Sequence, residues 1–135
     1  MGATPQFPNT PKNFGAKFTS ADGTTAKALV TAGANGSIVE VMSIISDDTA
    51  NMFVCLQLYD GSVGYDLNEV SVPDGSGTNG TDKAVNGLNI QDTPAFGNRE
   101  DRSIYLASGW SLRAHMKSAV TAGKTVTVAG CYGDF

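Results

Sequence analysis

The sequence predicts an all-β domain, an antiparallel sandwich or barrel of about eight short strands. Three observations carry this. From residue 16 onward, short apolar runs are punctuated by Gly, Asn and Asp, the rhythm of strands and tight turns. Sixteen glycines and many Thr, Ser and Asn residues supply turn chemistry, while charged residues are only 16% of the chain, against about 25% in ordinary soluble domains. Leu, Ile, Val and Phe together make up only about a fifth of the residues, so the core is expected to be thin. A length of 135 residues fits one such core and leaves little for a second.

Residues 1–15 contain Pro5, Pro8 and Pro11, which exclude a helix or a central strand and predict an extended arm. Phe7 and Phe14 lie in that arm without a local apolar partner. They call for cover, either from their own domain or from a neighbouring subunit, the alternative being a disordered terminus. Residues 16–135 then form the sandwich.

The strands are expected at Ala16 to Ser20, Thr24 to Thr31, Ser37 to Ser46, Met52 to Tyr59, Val63 to Val72, Ser103 to Leu106, Ser111 to Ser118 and Lys124 to Tyr132. The third carries apolar residues of both parities, with Val39, Val41 and Ile45 opposite Ile38, Met42 and Ile44, so cover is expected on both of its faces. The seventh alternates most cleanly: Trp110, Leu112, Ala114 and Met116 against Ser111, Arg113, His115 and Lys117, one face for the core and one for water or a partner. The last sets Val126, Val128, Gly130 and Tyr132 against Thr125, Thr127, Ala129 and Cys131, and its β-branched residues suit a central position. The pairs Asp22-Gly23, Asn35-Gly36 and Asp60-Gly61 tolerate positive φ and predict hairpins.

Between Pro73 and Arg102 the alternation breaks for longer than an ordinary connection. Its first part, Asp74 to Gly80, reads as a flexible loop. Its middle, Asp82 to Ile90, reads as a short helical turn whose Val85, Leu88 and Ile90 plug one end of the sandwich.

Several function classes fall on these data. A net charge of −4 and a pI near 4.7 disfavour a surface built for nucleic acid or anionic lipid. No apolar run approaches the length of a membrane span, and Met1 to Pro5 lacks the charged and apolar regions of a secretory signal, so synthesis in the cytoplasm is expected. Cys55 and Cys131 sit in apolar runs and are expected to be buried free thiols. Gly75-x-Gly77-x-x-Gly80 matches a dinucleotide fingerprint in letters only, because no helix-length segment follows it. The scattered Asp residues lack calcium-loop spacing, and the Asn35 and Asn79 sequons read as turns. His115 is the only histidine, so a multi-histidine metal site is excluded and any Ser-His-Asp or Cys-His arrangement must use it, and the sequence sets no orienting carboxylate beside it. No catalytic residue and no cofactor are expected. Candidate contact residues are Phe7 and Phe14 of the arm, Arg99 and Arg102 of the one dense charge run, and Arg113 and His115 of the polar strand face.

Six stretches share a further likeness: Thr24 to Ser37, Ser46 to Ala50, Leu67 to Gly80, Gly109 to Ala114, Ala119 to Val128 and the closing Gly133-Asp134-Phe135. Here the chain resembles small virion proteins of tailed bacteriophages, over about residues 24–135. The resemblance implies a β-sandwich of jelly-roll type and a decoration or cement role on the outside of the capsid. The implied partners are the major capsid protein and further copies of the chain. It transfers no site residues, and residues 1–15 fall outside it. A tail or head-to-tail connector protein and a carbohydrate-binding sandwich are the competing expectations.

Overall fold

Short strands pass back and forth between two antiparallel sheets in the computed structural model, which describes residues 8–88 and 103–135. They are β1 (Thr10–Phe18), β2 (Lys27–Thr31), β3 (Ser37–Ser46), β4 (Met52–Tyr59), β5 (Gly64–Val72), β6 (Val85–Asn86), β7 (Ile104–Leu106), β8 (Ser111–Met116) and β9 (Val126–Asp134). The first sheet has the order β1-β9-β3, with β6 and β7 sharing the far edge of β3; the second runs β2-β8-β4-β5. The pairs β1·β9, β2·β8, β3·β6 with β3·β7, and β4·β5 are nested along the chain, which is the wrapping of a jelly roll.

The expected strands recur with a few informative differences. β3 and β4 begin and end where the apolar pattern set them, and β9 is central as its β-branched residues required. β1 begins at Thr10 instead of Ala16, so part of the expected arm is an edge strand hydrogen-bonded to β9. An edge tolerates Pro11, whose missing N–H can face outward. Phe14 packs half-buried on its own domain, its ring 6.3 Å from that of Tyr132. Only Asp60-Gly61 closes a hairpin; the turns at Gly23 and Gly36 take positive φ as expected but carry the chain from one sheet to the other.

Part of the mixed parity of β3 comes from a β-bulge between Val39 and Val41; Ile38, on the opposite face from Val39, is buried as well. Ser37 and Val39 face the core before it, and Met42, Ile44 and Ser46 after it, while Glu40 and Val41 are turned out. Gly130 lies opposite this bulge, where a Cβ would overlap the Val41 carbonyl, so only glycine fits there.

The core is continuous between the sheets and includes Phe18, Ile44, Leu56, Leu112, Met116, Val126 and Val128. Trp110 departs from its expected core position. β8 has not begun at that residue, and the ring lies half-buried at the sheet margin, 6.0 Å from Tyr65. The segment after Gly80 is not a helical turn: Val85 and Asn86 bridge to Ile44 and Ser43. Val85 and Leu88 do pack against the core, whereas Ile90 lies outside the described residues.

Candidate functional site

The outer face of the second sheet collects the polar residues that the sequence singled out. Across its strands, Arg113, Gln57 and Asp66 form one row, and His115, Cys55 and Glu69 the next. β8, with Lys117 just beyond it, thus supplies a basic column and β5 an acidic one, with neutral β4 between them. Lys117 Nζ lies 3.0 Å from Glu69 Oε1, and His115 Nε2 lies 3.7 Å from Asp66 Oδ1. The Arg113 guanidinium stacks 4.2 Å over the Tyr59 ring. Gln57 Nε2 donates to Asp66 at 3.2 Å while its Oε1 is buried without a partner, covered over Gly64.

Asp66 and Glu69 were invisible as partners from sequence because a bulge between Leu56 and Gln57 sets their register. Together with Cys55 and His115 they resemble the parts of a nucleophilic site, but the electrostatics oppose that use. Half-burial pushes the Cys55 thiol up, and the carboxylates of Glu69 and Asp66 push it further, against a smaller opposing effect of Lys117. A reactive cysteine needs the reverse, an electropositive setting that favours thiolate. Both cysteines are free and only half-buried, on outer faces, which corrects the expectation of buried thiols. Among the described residues, no group of His, Cys, Asp and Glu is arranged to hold a metal ion, and no helix is long and apolar enough to cross a membrane.

Exposed ion pairs of this kind contribute about 0–1 kcal/mol. His115→Gln is therefore expected to change stability by less than about 0.5 kcal/mol, checked by urea titration. A loss well above that would make the Asp66 contact structural.

The two ends of the sandwich differ in chemistry. At one end, the β1–β2, β3–β4, β5–β6 and β8–β9 connections, where described, are made of Gly, Ser, Thr, Ala, Asn, Asp and Lys with single Pro73 and buried Val120. Asp48 ties three of them together. Its carboxylate accepts from Thr121 N and Oγ1, both at 2.8 Å, and from Ala50 N at 3.0 Å, while its carbonyl accepts from Gly75 N at 3.1 Å. Burial works against the charged carboxylate, but the hydrogen bonds from Thr121 and Ala50 outweigh it and hold the group below the usual range. The 73–82 loop is pinned as well: Thr78 Oγ1 donates to Ser46 O at 2.8 Å, and Asn79 Oδ1 accepts from the Thr81 and Asp82 amides at 2.8 Å each. It is an ordered turn in which Gly75, Gly77 and Gly80 take positive φ; among the described residues no helix N-terminus meets it to form a phosphate cradle.

At the other end lie the β2–β3, β4–β5 and β7–β8 connections and the last residues of β9. Tyr59, Tyr65, Tyr105 and Tyr132 all lie in this half with Trp110, and they are the chain's only tyrosines and tryptophan. Tyr105 is 71% exposed. A cleft of about 720 Å3 opens beside it, lined by Asn35, Ser37, Leu106 and Phe135 among others. Lys12 and Asp134 pair at 2.7 Å, and Lys12 together with Ser37 holds the Asp134 carboxyl below the usual range.

Among the described residues, the expected contact residues do not share one face. Arg113 and His115 share the outer face of the second sheet, whereas Phe14 belongs to the first. Phe7, Arg99 and Arg102 lie outside the described residues. The aromatic end went unnoticed in sequence because its members are scattered along the chain and only the jelly-roll wrapping gathers them.

No family model matches the chain, and no curated protein matches it. Among solved structures, a chain of the acidic stable capsid structure of Helicobacter pylori bacteriophage KHP30 aligns with a TM-score of 0.52 at 14% identity, covering 94% of this chain and 90% of that one. The Drosophila NLP core, described for pentamer formation and histone binding, aligns at 0.47 and 13% identity, covering 93% and 97%. A chain of the cyanophage Pam1 capsid asymmetric unit aligns at 0.46 and 18% identity, covering 100% and 94%. At 14% identity the KHP30 likeness is one of fold, and it extends over nearly the whole sandwich.

Proposed function

We propose that the chain is a structural virion protein that binds the outside of a phage capsid and cements neighbouring major capsid subunits. The observation that carries this reading is the whole-length fold likeness to the KHP30 capsid chain, joined to the sequence resemblance over residues 24–135. The chemistry agrees with it. The grouping of Cys55, His115 and the two carboxylates is biased toward a protonated thiol, which suits a contact surface better than a nucleophilic site.

A protein of this kind acts by adding interface area to the assembled shell only, which stabilises that state by mass action. Many copies bind, so modest affinity per copy suffices. Several copies of the chain bridge the shell subunits, with Arg113 and His115 as contact residues of the described part. Phe14, covered by Tyr132, contributes to such a contact only by its exposed edge.

The test is the heat and low-salt stability of filled heads with and without the chain. Heads lacking it are expected to release DNA at a lower temperature. Equal survival moves the tail or connector reading ahead, and a single ring of copies at the portal in place of many over the shell does the same.

A further inference from the structure

We propose that the aromatic end of the sandwich is the surface that seats on the shell, with the Ser-, Thr- and Gly-rich end turned to solvent. This rests on the capsid-binding reading above and adds the orientation of the bound chain. Tyrosine and tryptophan are the side chains that most often dominate protein contacts, because they desolvate a large area for little lost rotamer freedom. Here the jelly-roll wrapping gathers every tyrosine and the tryptophan into one half of the molecule. Tyr105, Tyr65 and the aliphatic Val63 are exposed there. The opposite connections, where described, offer no aromatic group at all.

The polar atoms around these rings select the occupant. The Asp60 carboxylate already accepts from the Ser62 and Val63 amides at 2.8 and 2.7 Å and faces the Tyr65 hydroxyl at 3.4 Å. The Tyr59 hydroxyl donates to Gly61 O at 3.0 Å. A sugar needs convergent, unengaged hydrogen-bonding groups beside the rings; these groups are engaged with one another, and exposed Val63 suits a protein surface instead. Size separates a shell from a second copy. Four strands spaced about 4.8 Å apart in two layers about 10 Å apart give an end of roughly 500 Å2. Two copies meeting end to end bury roughly 1,000 Å2 in total, below the about 1,200–2,000 Å2 of a stable pair. A shell is wider than the end and can also cover the flanks of the β4–β5 hairpin and the Arg113 and His115 rows of the second sheet, short of Phe53.

The experiment is hydroxyl-radical footprinting, read by mass spectrometry, of the free chain and of the chain on its particle. Tyr65, Tyr105 and Trp110 are expected to lose reactivity by about fivefold or more on the particle, as buried contact residues do. Phe53, exposed in the other half of the second sheet, is expected to change little. Tyr105→Ser, whose side chain packs least of the four tyrosines, is expected to keep its melting temperature and to weaken binding to chain-free shells by about tenfold. A particle-bound chain with Phe53 shielded and Tyr105 open overturns the orientation and leaves the capsid reading standing. Absence of the chain from the particle overturns both. Protection of Tyr65 and Trp110 by dextran or chitin oligosaccharides alone, or by dimerisation of the free chain, overturns it in favour of a carbohydrate or a second copy.

Discussion

Replacing Leu112 with alanine is expected to cost about 2–5 kcal/mol. Leu112 is 0% exposed and sits mid-sheet on β8, with Val30 of β2 on one side and Leu58 of β4 on the other. Both neighbours are fixed by strand pairing, so little can move to fill the space the side chain leaves. The remaining cavity then adds to the lost transfer free energy. Because the core is thin and a domain this size is held by only about 5–15 kcal/mol, the variant is expected to melt about 10–20 °C lower. A shifted urea midpoint with an unchanged m-value would show that the native fold persists. A loss under about 1 kcal/mol would mean that β8 presents its other face to the core.

That parity was legible because β8 and β9 alternate without interruption, so a period of two was enough to assign Leu112, Met116, Val126 and Val128 inward. Where the backbone breaks the period, the sequence misled. The β3 bulge reverses parity between Val39 and Met42, so the letters alone set Met42 and Ile44 opposite Val39 although all three face the core; the cover over Ile38 on the other face is as expected. Trp110 continues the β8 alternation in sequence but precedes the strand itself, so its ring falls at the margin. The Asp-Gly and Asn-Gly pairs marked turns correctly, yet the local chemistry of a turn does not state whether the next strand pairs with the last one or crosses to the other sheet. The surfaces were the least legible part. Asp66 and Glu69 meet His115 and Lys117 only through a long-range register, and the aromatic end is assembled from connections distant in sequence.

The polar end carries the second large effect, at Asp48. The residue is 1% exposed and its carboxylate accepts three hydrogen bonds, from Ala50 N, Thr121 N and Thr121 Oγ1. Asp48→Asn keeps the shape but turns an NH2 group toward one of these donors. Leaving a buried donor unsatisfied costs about 1–3 kcal/mol, so the variant is expected to be about 2 kcal/mol less stable at pH 7. Its dependence on pH separates charge from shape. The folded carboxyl lies below the usual range, hence below its value in the unfolded chain, so the contribution is present in full above the unfolded value of about 3.9. It is lost as pH falls through the folded value, where the wild-type carboxylate takes up a proton while the amide of the variant does not. Urea titrations between pH 7 and pH 2.5 are therefore expected to show a gap between wild type and Asp48→Asn that is constant down to about pH 5 and narrows below pH 4. A gap that stays constant to the lowest pH would show that the three connections are held by the shape of the side chain and not by its charge.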